Sequence, residues 1–324
     1  MRSDIVADWV ARSEWAGWKR IAMTGDASAR RYERLCSPNG TTVILMDAPP
    51  ETCGSQGRFV EIAAHLKMLG LAAPEVLACD EASGLLMLSD LGQAGPGDVV
   101  LLHGCCHNPS GADLNREQWH AVADLMARKG LIPFVDMAYQ GLGNGLEEDA
   151  YGVRLLAERF PEMLVATSCS KNVGLYRERT GTLFIVAATP AEARTAGSQL
   201  FSKIRSHYSM PPAHGAAIVE TILADAGLTA SWERELAAMR VRIQGLRQQL
   251  VAALAASGID GDFAFIQQQF GMFSFLGITP QQVDQLRQDY SIYMINSSRM
   301  NVAGLNQGSI DYFVSALTKV LSAR

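Results

Sequence analysis

The stretch Met163-Leu164-Val165-Ala166-Thr167-Ser168-Cys169-Ser170-Lys171-Asn172 decides how this 324-residue chain reads. An apolar run begins near Met163 and ends in hydroxyls and a lysine. That is the pattern of a strand delivering a reactive amine to the C-terminal mouth of an α/β sheet, where ligands of such folds bind. Working outward, Arg179 follows eight residues later. Upstream, Asp136 and Tyr139 close the apolar run Ile132–Tyr139, and Asn108 follows the run Val99–His103. That first run is continuous, as for a strand buried on both faces. Helical spacing in Glu117–Lys129 and Asp149–Phe160 separates the runs, and a further strand is expected at Gly181–Ala187. The βαβαβ order predicts a mostly parallel sheet with flanking helices, so the polar residues after each strand converge on one edge.

A lysine amine forms a Schiff base with an aldehyde. A buried aspartate keeps a pyridine nitrogen protonated, so that the ring acts as an electron sink. Tyrosine and asparagine can hydrogen-bond a phenolate, and arginine with serine hydroxyls can hold a phosphate. Lys171, Asp136, Tyr139, Asn108, Arg179 and Ser168 together describe a site for pyridoxal 5'-phosphate.

Composition excludes other classes. Hydrophobic residues make up 48% and charged residues 19%, which rules out a disordered chain. The net charge of −5 offers no global attraction to nucleic acid or an anionic membrane. No apolar run approaches a membrane span, and Asp4 and Asp8 interrupt any signal-peptide pattern, so a soluble cytosolic protein is expected. The six cysteines contain no C-x-x-C pair and read as reduced, mostly buried thiols with no metal. Gly141-Leu142-Gly143-Asn144-Gly145 has the wrong spacing for a dinucleotide fingerprint, and the Glu147-Glu148-Asp149 run after it would repel a pyrophosphate; a flexible loop is expected.

Five motifs carry a resemblance. His103-Gly104-Cys105-Cys106-His107-Asn108-Pro109-Ser110-Gly111, Asp136-Met137-Ala138-Tyr139-Gln140-Gly141 and Ser168-Cys169-Ser170-Lys171-Asn172 are followed by Tyr208-Ser209-Met210-Pro211-Pro212-Ala213-His214-Gly215 and Arg299-Met300-Asn301-Val302-Ala303-Gly304. In this order, over residues 95–321, the chain resembles the aspartate/aromatic amino acid aminotransferase family. The resemblance implies a fold-type I architecture working as a homodimer on an amino acid and a 2-oxo acid such as 2-oxoglutarate. Lys171 would be the Schiff-base lysine and proton carrier, and Asp136 would pair with the pyridine nitrogen. Tyr139 and Asn108 would meet the ring oxygen, and Ser168 and Arg179 the phosphate. Arg299 would grip the substrate α-carboxylate, and Arg205 would reach a side-chain carboxylate in the partner subunit's site. Met210 replaces a polar residue common in the family near the substrate.

Residues 1–92 belong elsewhere. Helical spacing in Ile5–Trp18, strands at Arg31–Leu35 and Thr42–Met46 around a turn at 37–40, a helix at Phe59–Leu69 and short strands at Glu75–Cys79 and Leu85–Ser89 predict an α+β unit. Gly25-Asp26-Ala27-Ser28-Ala29-Arg30-Arg31-Tyr32, the run Val43–Glu51 and Leu88-Ser89-Asp90-Leu91-Gly92 resemble the N-terminal lobe of aminoglycoside-phosphotransferase-type kinases of the branch acting on cell-wall amino sugars. Residues 25–29 would form the nucleotide-covering turn. No H-x-D loop follows, so kinase activity from this chain is not expected.

The expected organisation is a kinase-N-lobe-like unit at 1–92, a Gly/Pro-rich linker at 93–98, and a large-domain core at 99–230. A long helix from about Ser231 and a small α/β domain with strands at Phe270–Phe275 and Ile292–Ile295 complete it. The family's opening segments, with part of the phosphate cup and the aromatic stacked on the pyridine, are not recognisable. The chain therefore reads as a junction of two truncated genes with weak or absent transamination. The alternatives are a non-catalytic fusion and a nucleotide- or amino-sugar-binding remnant.

Overall fold

A computed structural model describes residues 2–23, 30–53, 55–68, 73–90, 92, 95–259 and 261–322; the expected nucleotide-covering turn at 25–29 lies outside them. The contacts fall into two units, Met1–Ala94 and Gly95–Arg324.

In the first unit, helix α1 (Arg2–Ala11) precedes strands β1 (Lys19–Ala22), β2 (Arg31–Cys36) and β3 (Thr42–Asp47). Helices α2 (Pro50–Cys53) and α3 (Gly57–Met68) and strands β4 (Val76–Asp80) and β5 (Leu85–Ser89) complete it. The strands form one antiparallel sheet in the order β1-β2-β3-β5-β4. Alternation divides its apolar residues between two faces. Leu35, Val43, Leu45, Leu85 and Met87 pack with Val6, Val10 and Trp15, while Met46, Leu86 and Leu88 pack with Phe59 and Val60 of α3. Helix α1 stops at Ala11, earlier than the spacing predicts. The Ser13 hydroxyl donates to the Val10 carbonyl and accepts from the Trp15 N–H, which turns the chain and tucks Trp15 into the core. Strand β1 was not expected, because all four of its residues are exposed and carry no alternating pattern.

The Asp90 carboxylate accepts from Arg34 Nε at 2.6 Å and from the Gly92 N–H at 2.8 Å. Burial alone would raise its pKa; Arg34, Thr42 and Gly92 outweigh burial and hold it below the usual carboxylate value. A depressed folded-state pKa contributes stability that is present above the unfolded value and is lost as pH falls through the folded one. The first unit is therefore expected to lose stability as pH drops below about 4. Arg34→Met should raise the Asp90 titration midpoint measured by carboxyl NMR; an unmoved midpoint would contradict this account.

The second unit opens with β6 (Val99–His103), α4 (Arg116–Lys129), β7 (Ile132–Met137), α5 (Leu146–Asp149), α6 (Tyr151–Arg159), β8 (Met163–Ser168) and β9 (Gly181–Val186). Its sheet runs β6-β7-β8-β9, parallel across the first three strands and antiparallel for β9. Strand β9 reverses because the connection 169–180 is a tight turn without the helix that a parallel crossover needs. Helix α6 packs on β8, and α4 packs on α6 where the Trp119 ring meets Gly152. Strand β6 is an edge strand with neither face fully covered: Val99 is 53% and Leu101 59% exposed while Val100 and Leu102 are half-buried, which corrects the expectation of burial on both faces.

Helices α7 (Pro190–Tyr208), α8 (His214–Ala224) and the long α9 (Ala226–Ala256) lead to a small C-terminal layer. This comprises α10 (Phe265–Gln268), β10 (Phe273–Phe275), α11 (Pro280–Tyr290), β11 (Arg299–Asn301) and α12 (Gln307–Ser322). Strands β10 and β11 pair antiparallel. The strand expected at Ile292–Ile295 does not form. Ser291, in the left-handed region at φ 54°, ends α11, the Ile292 N–H returns to the Leu286 carbonyl, and Arg287 takes the Met294 carbonyl.

Candidate active site

The Lys171 turn is tied at both ends. The Cys169 N–H donates to the Thr180 carbonyl at 3.0 Å, and the Ser170 N–H donates to Ser168 Oγ at 3.1 Å. Asn172 Nδ2 donates to the Gln140 carbonyl at 3.3 Å, while Trp232 Nε1 donates to the Asn172 carbonyl at 2.7 Å. The lysine is thereby anchored to the loop after β7 and to α9. Its Nζ lies 4.5 Å from the centre of the Tyr139 ring and makes no hydrogen bond or ion pair among the described residues.

Tyr139 is buried, and its hydroxyl accepts from Asn108 Nδ2 at 3.5 Å, a long contact. Asn108 Oδ1 accepts from Arg299 Nη1 at 3.0 Å, and the Arg299 guanidinium lies 4.8 Å over the Phe273 ring. Arg299, Asn108, Tyr139 and Lys171 form one continuous line. The loop holding Asn108 is fixed by Asp113, whose carboxylate accepts the N–H groups of Cys106 at 2.6 Å and His107 at 2.8 Å.

Asp136 pairs in register with His103 on β6 and Ala166 on β8, so by alternation its side chain shares a sheet face with those of His103 and Ser168. Its carboxylate makes no hydrogen bond among the described residues, yet it is near enough to act on Tyr139. Burial raises the Tyr139 pKa, Asn108 opposes the rise, and the Asp136 charge adds to it, so the phenol is neutral at pH 7. His103 Nδ1 is buried without a partner, and the His103 and His107 rings meet edge-on at 4.6 Å.

Ser168 and Arg179 stand near the two ends of the same turn, which the Ser168–Gly181 register pair closes. Arg179 is exposed and donates to the Tyr176 carbonyl at 3.1 Å. Arg205 is not brought into the line: it is exposed on α7 and donates to Ser209 Oγ at 2.8 Å. Unpartnered Lys171 and Asp136, with Tyr139 and Asn108 between β7 and the lysine turn, and an orphaned imidazole nitrogen beside them, form a donor set that fits a phosphorylated pyridine aldehyde.

Two readings of the sequence are corrected here. The loop at Gly141–Gly145 is anchored rather than flexible. The Asp149 carboxylate, buried at the end of α5, accepts the N–H groups of Gly141 at 2.8 Å, Gly143 at 3.0 Å and Asn144 at 2.7 Å. Arg240 and Gln244 of α9 hold the carbonyls of Gly141 and Gly143. The adjacent Cys105 and Cys106 thiols also come together, with Asp149, within 4.8 Å. Asp149 is already occupied by its three amides, and the contact with Cys105, then burial, push the Cys106 thiol well above its ordinary range. The thiols are not mostly buried as expected: Cys105 and Cys106 are buried, Cys36, Cys53 and Cys169 are half-buried, and Cys79 is exposed. Sequence reasoning assigned no role to Asn172, Trp232 or the His103 side chain and read Asp149 as part of a repulsive acidic run; Asn172 and His103 lie inside quoted motifs, while no local pattern marks Trp232 or the inward turn of Asp149.

An α/β domain that gathers a lysine, a carboxylate, a phenol and an amide at its strand ends defines the fold-type I class of pyridoxal-phosphate-dependent transferases. Within that class, the chain belongs to the aminotransferase class I and II family, whose profile matches residues 86–317. It is 51% identical over 235 residues to the aspartate aminotransferase of Haemophilus influenzae, a match covering 72% of this chain and 59% of the relative. It is 47% identical over 247 residues to the aromatic-amino-acid aminotransferase of Pseudomonas aeruginosa, covering 76% and 62%. A solved aromatic-amino-acid aminotransferase from Burkholderia pseudomallei, covalently bound to pyridoxal phosphate, superposes with a TM-score of 0.71 at 41% identity, covering 81% of this chain and 67% of that one. The chain thus spans about three-fifths of the length of the curated relatives it matches.

Proposed function

We propose that the second unit holds pyridoxal 5'-phosphate on Lys171 and moves an amino group between aspartate or an aromatic amino acid and 2-oxoglutarate. The observation that carries this is the line Arg299–Asn108–Tyr139–Lys171 with Asp136 beside it. Bound there, the cofactor supplies an electron sink for negative charge developing at the substrate Cα. Asp136 holds the proton on the ring nitrogen, and Asn108 Nδ2 and the neutral Tyr139 hydroxyl hydrogen-bond the ring oxygen. Ser168 and Arg179 bind the phosphate. Arg299 takes the α-carboxylate, to which its planar fork is matched. Lys171 Nζ, half-buried beside Tyr139, carries the proton to and from Cα. In a homodimer Arg205 would serve the partner subunit's site, which accounts for its exposure here. A cytoplasmic setting suits free thiols and the cytoplasmic aspartate aminotransferase relative of Dictyostelium discoideum.

The reaction is proposed to run slowly. The exposed Val99 and Leu101, on the β6 face that Asp136 shares, leave the Asp136 side of the site less enclosed than charge-stabilising catalysis requires. Each missing charge-assisted hydrogen bond to the phosphate would weaken cofactor binding by about 1.5–3 kcal/mol. A second reading concerns the first unit. Its sheet order β1-β2-β3-β5-β4, with α3 between β3 and β4, favours a kinase-N-lobe-like module that binds a nucleotide or amino sugar. A fusion in which neither unit works remains the outcome if both tests below fail.

The experiment is a titration of purified protein with pyridoxal phosphate, followed by aspartate or phenylalanine without a 2-oxo acid. Saturable uptake, and conversion of the bound cofactor's absorbance by either amino acid, are expected. No saturable uptake overturns the transferase reading. Protection of residues 30–90 from hydrogen exchange by ATP or an amino sugar would support the second reading, and unchanged exchange would remove it.

A further inference from the structure

Arg247 is the largest fully buried side chain among the described residues, 1% exposed in the interior of α9. No carboxylate is within ion-pair distance among the described residues. Its hydrogen bonds all go to neutral acceptors, with the Asp113 charge acting on it only from beyond ion-pair distance: Nη1 donates to the Ile266 carbonyl at 2.9 Å and Ser274 Oγ at 2.6 Å. Nη2 donates to the carbonyls of Phe270 at 3.1 Å, Gly271 at 2.8 Å and Phe273 at 2.7 Å. Burial lowers its pKa to about 10, so it stays charged at neutral pH. A buried cation with no carboxylate in contact is costly, and a hydrophobic side chain would fill this space more cheaply. What the cation accomplishes is geometric: one planar fork fixes five points along residues 266–274.

That segment lies directly against the Asn108 loop. The Phe270 N–H donates to the Gly111 carbonyl at 2.9 Å. A Cβ on Gly111 would overlap the Phe273 carbonyl, and one on Gly271 would overlap Cys106. The segment also carries β10, which pairs Phe275 with Arg299 and Phe273 with Asn301. Phe273 is held from both sides: its carbonyl takes Arg247 and its ring lies under the Arg299 guanidinium. Arg299 in turn donates to Asn108.

We propose that Arg247 is a positioning residue that clamps residues 266–274 so that Arg299 and Asn108 meet in the geometry needed to grip a substrate carboxylate. The carboxylate part rests on the reading of Arg299 given above. Lysine can substitute only in part, because a point ammonium with three donors cannot span the five acceptors.

The test uses the full chain as wild type, Arg247→Met and Arg247→Lys. In Arg247→Met, amide hydrogen exchange in peptides covering 105–111 and 299–302 is expected to quicken by about tenfold or more, with 132–137 and 163–168 unchanged. Affinity for the carboxylate probe 3-indolepropionic acid should fall by about tenfold while pyridoxal phosphate uptake moves less than about threefold. Arg247→Lys should lie between. Where Arg247→Met does not fold, Ser274→Ala, which removes one acceptor, should show the same local pattern at smaller amplitude. Unchanged exchange, uniform acceleration across the second unit, or parallel loss of cofactor and carboxylate binding each overturn the proposal. Wild-type protein that takes up cofactor but binds no carboxylate overturns the role given to Arg299, and the exchange pattern still decides that of Arg247.

Discussion

Lys171→Ala is expected to eliminate the absorbance of lysine-bound cofactor and to slow the half-reaction with aspartate by about a thousandfold or more. Acid–base catalysis by a positioned side chain alone is worth about 10²–10⁴-fold, and loss of the attachment point adds to it. Folding should hardly notice. Lys171 Nζ has one contact of substance, the face of the Tyr139 ring at 4.5 Å, worth about 0.5–1 kcal/mol near an exposed surface. A thousandfold loss corresponds to about 4 kcal/mol of transition-state stabilisation, so the chemical effect far outweighs the structural one. Lys171→Arg separates charge from chemistry: it restores a cation over Tyr139 but no nucleophilic amine, and should be as inactive as the alanine variant. Spectra of wild type and Lys171→Ala that coincide after cofactor addition would sink the assignment.

The largest effect on stability is expected from Asp149→Ala. The carboxylate is buried and is the acceptor for three backbone N–H groups, those of Gly141, Gly143 and Asn144. Removing it strands all three donors, at about 1–3 kcal/mol each, so a total of about 3–6 kcal/mol is expected after partial relaxation. For a unit of this size that corresponds to a fall of about 6–24 °C in the melting midpoint. Asp149→Asn keeps one acceptor oxygen and should fall between. The damage should reach the site, because the loop begins next to Gln140, whose carbonyl receives Asn172 Nδ2 beside Lys171. Cofactor uptake should weaken along with the melting midpoint. A midpoint within about 2 °C of wild type would show that the loop finds other acceptors.

Much of the candidate site was legible because its residues stand at strand ends. Asn108, Tyr139 and Lys171 follow strands and Asp136 lies near the end of one, and in a parallel sheet such ends share one edge. Arg299 could be placed only through the motif around it; nothing in its spacing links it to Asn108, far away in the sequence. Strand direction was not legible for β9, since an apolar run has no polarity and only the helix-free turn 169–180 sets it antiparallel. Ile292–Ile295 has strand-forming residues but no partner strand, and pairing is what stabilises a strand. The acidic run after Gly145 reads as a repulsive surface, yet Asp149 folds back into a ring of amides. Only the fold decides which carboxylate turns inward.

Local pattern by itself determined which segments are strands and helices around the lysine, and which side chains stand at the strand ends, because periodicity and chain order are properties of neighbours along the backbone. Tertiary structure alone decided that Arg299 meets Asn108, that Asp149 closes its loop, that β6 is half uncovered, and that Arg247 carries a charge into the core. Each of these joins residues remote in sequence, and whether a buried polar group is satisfied depends on what the fold places within hydrogen-bond reach.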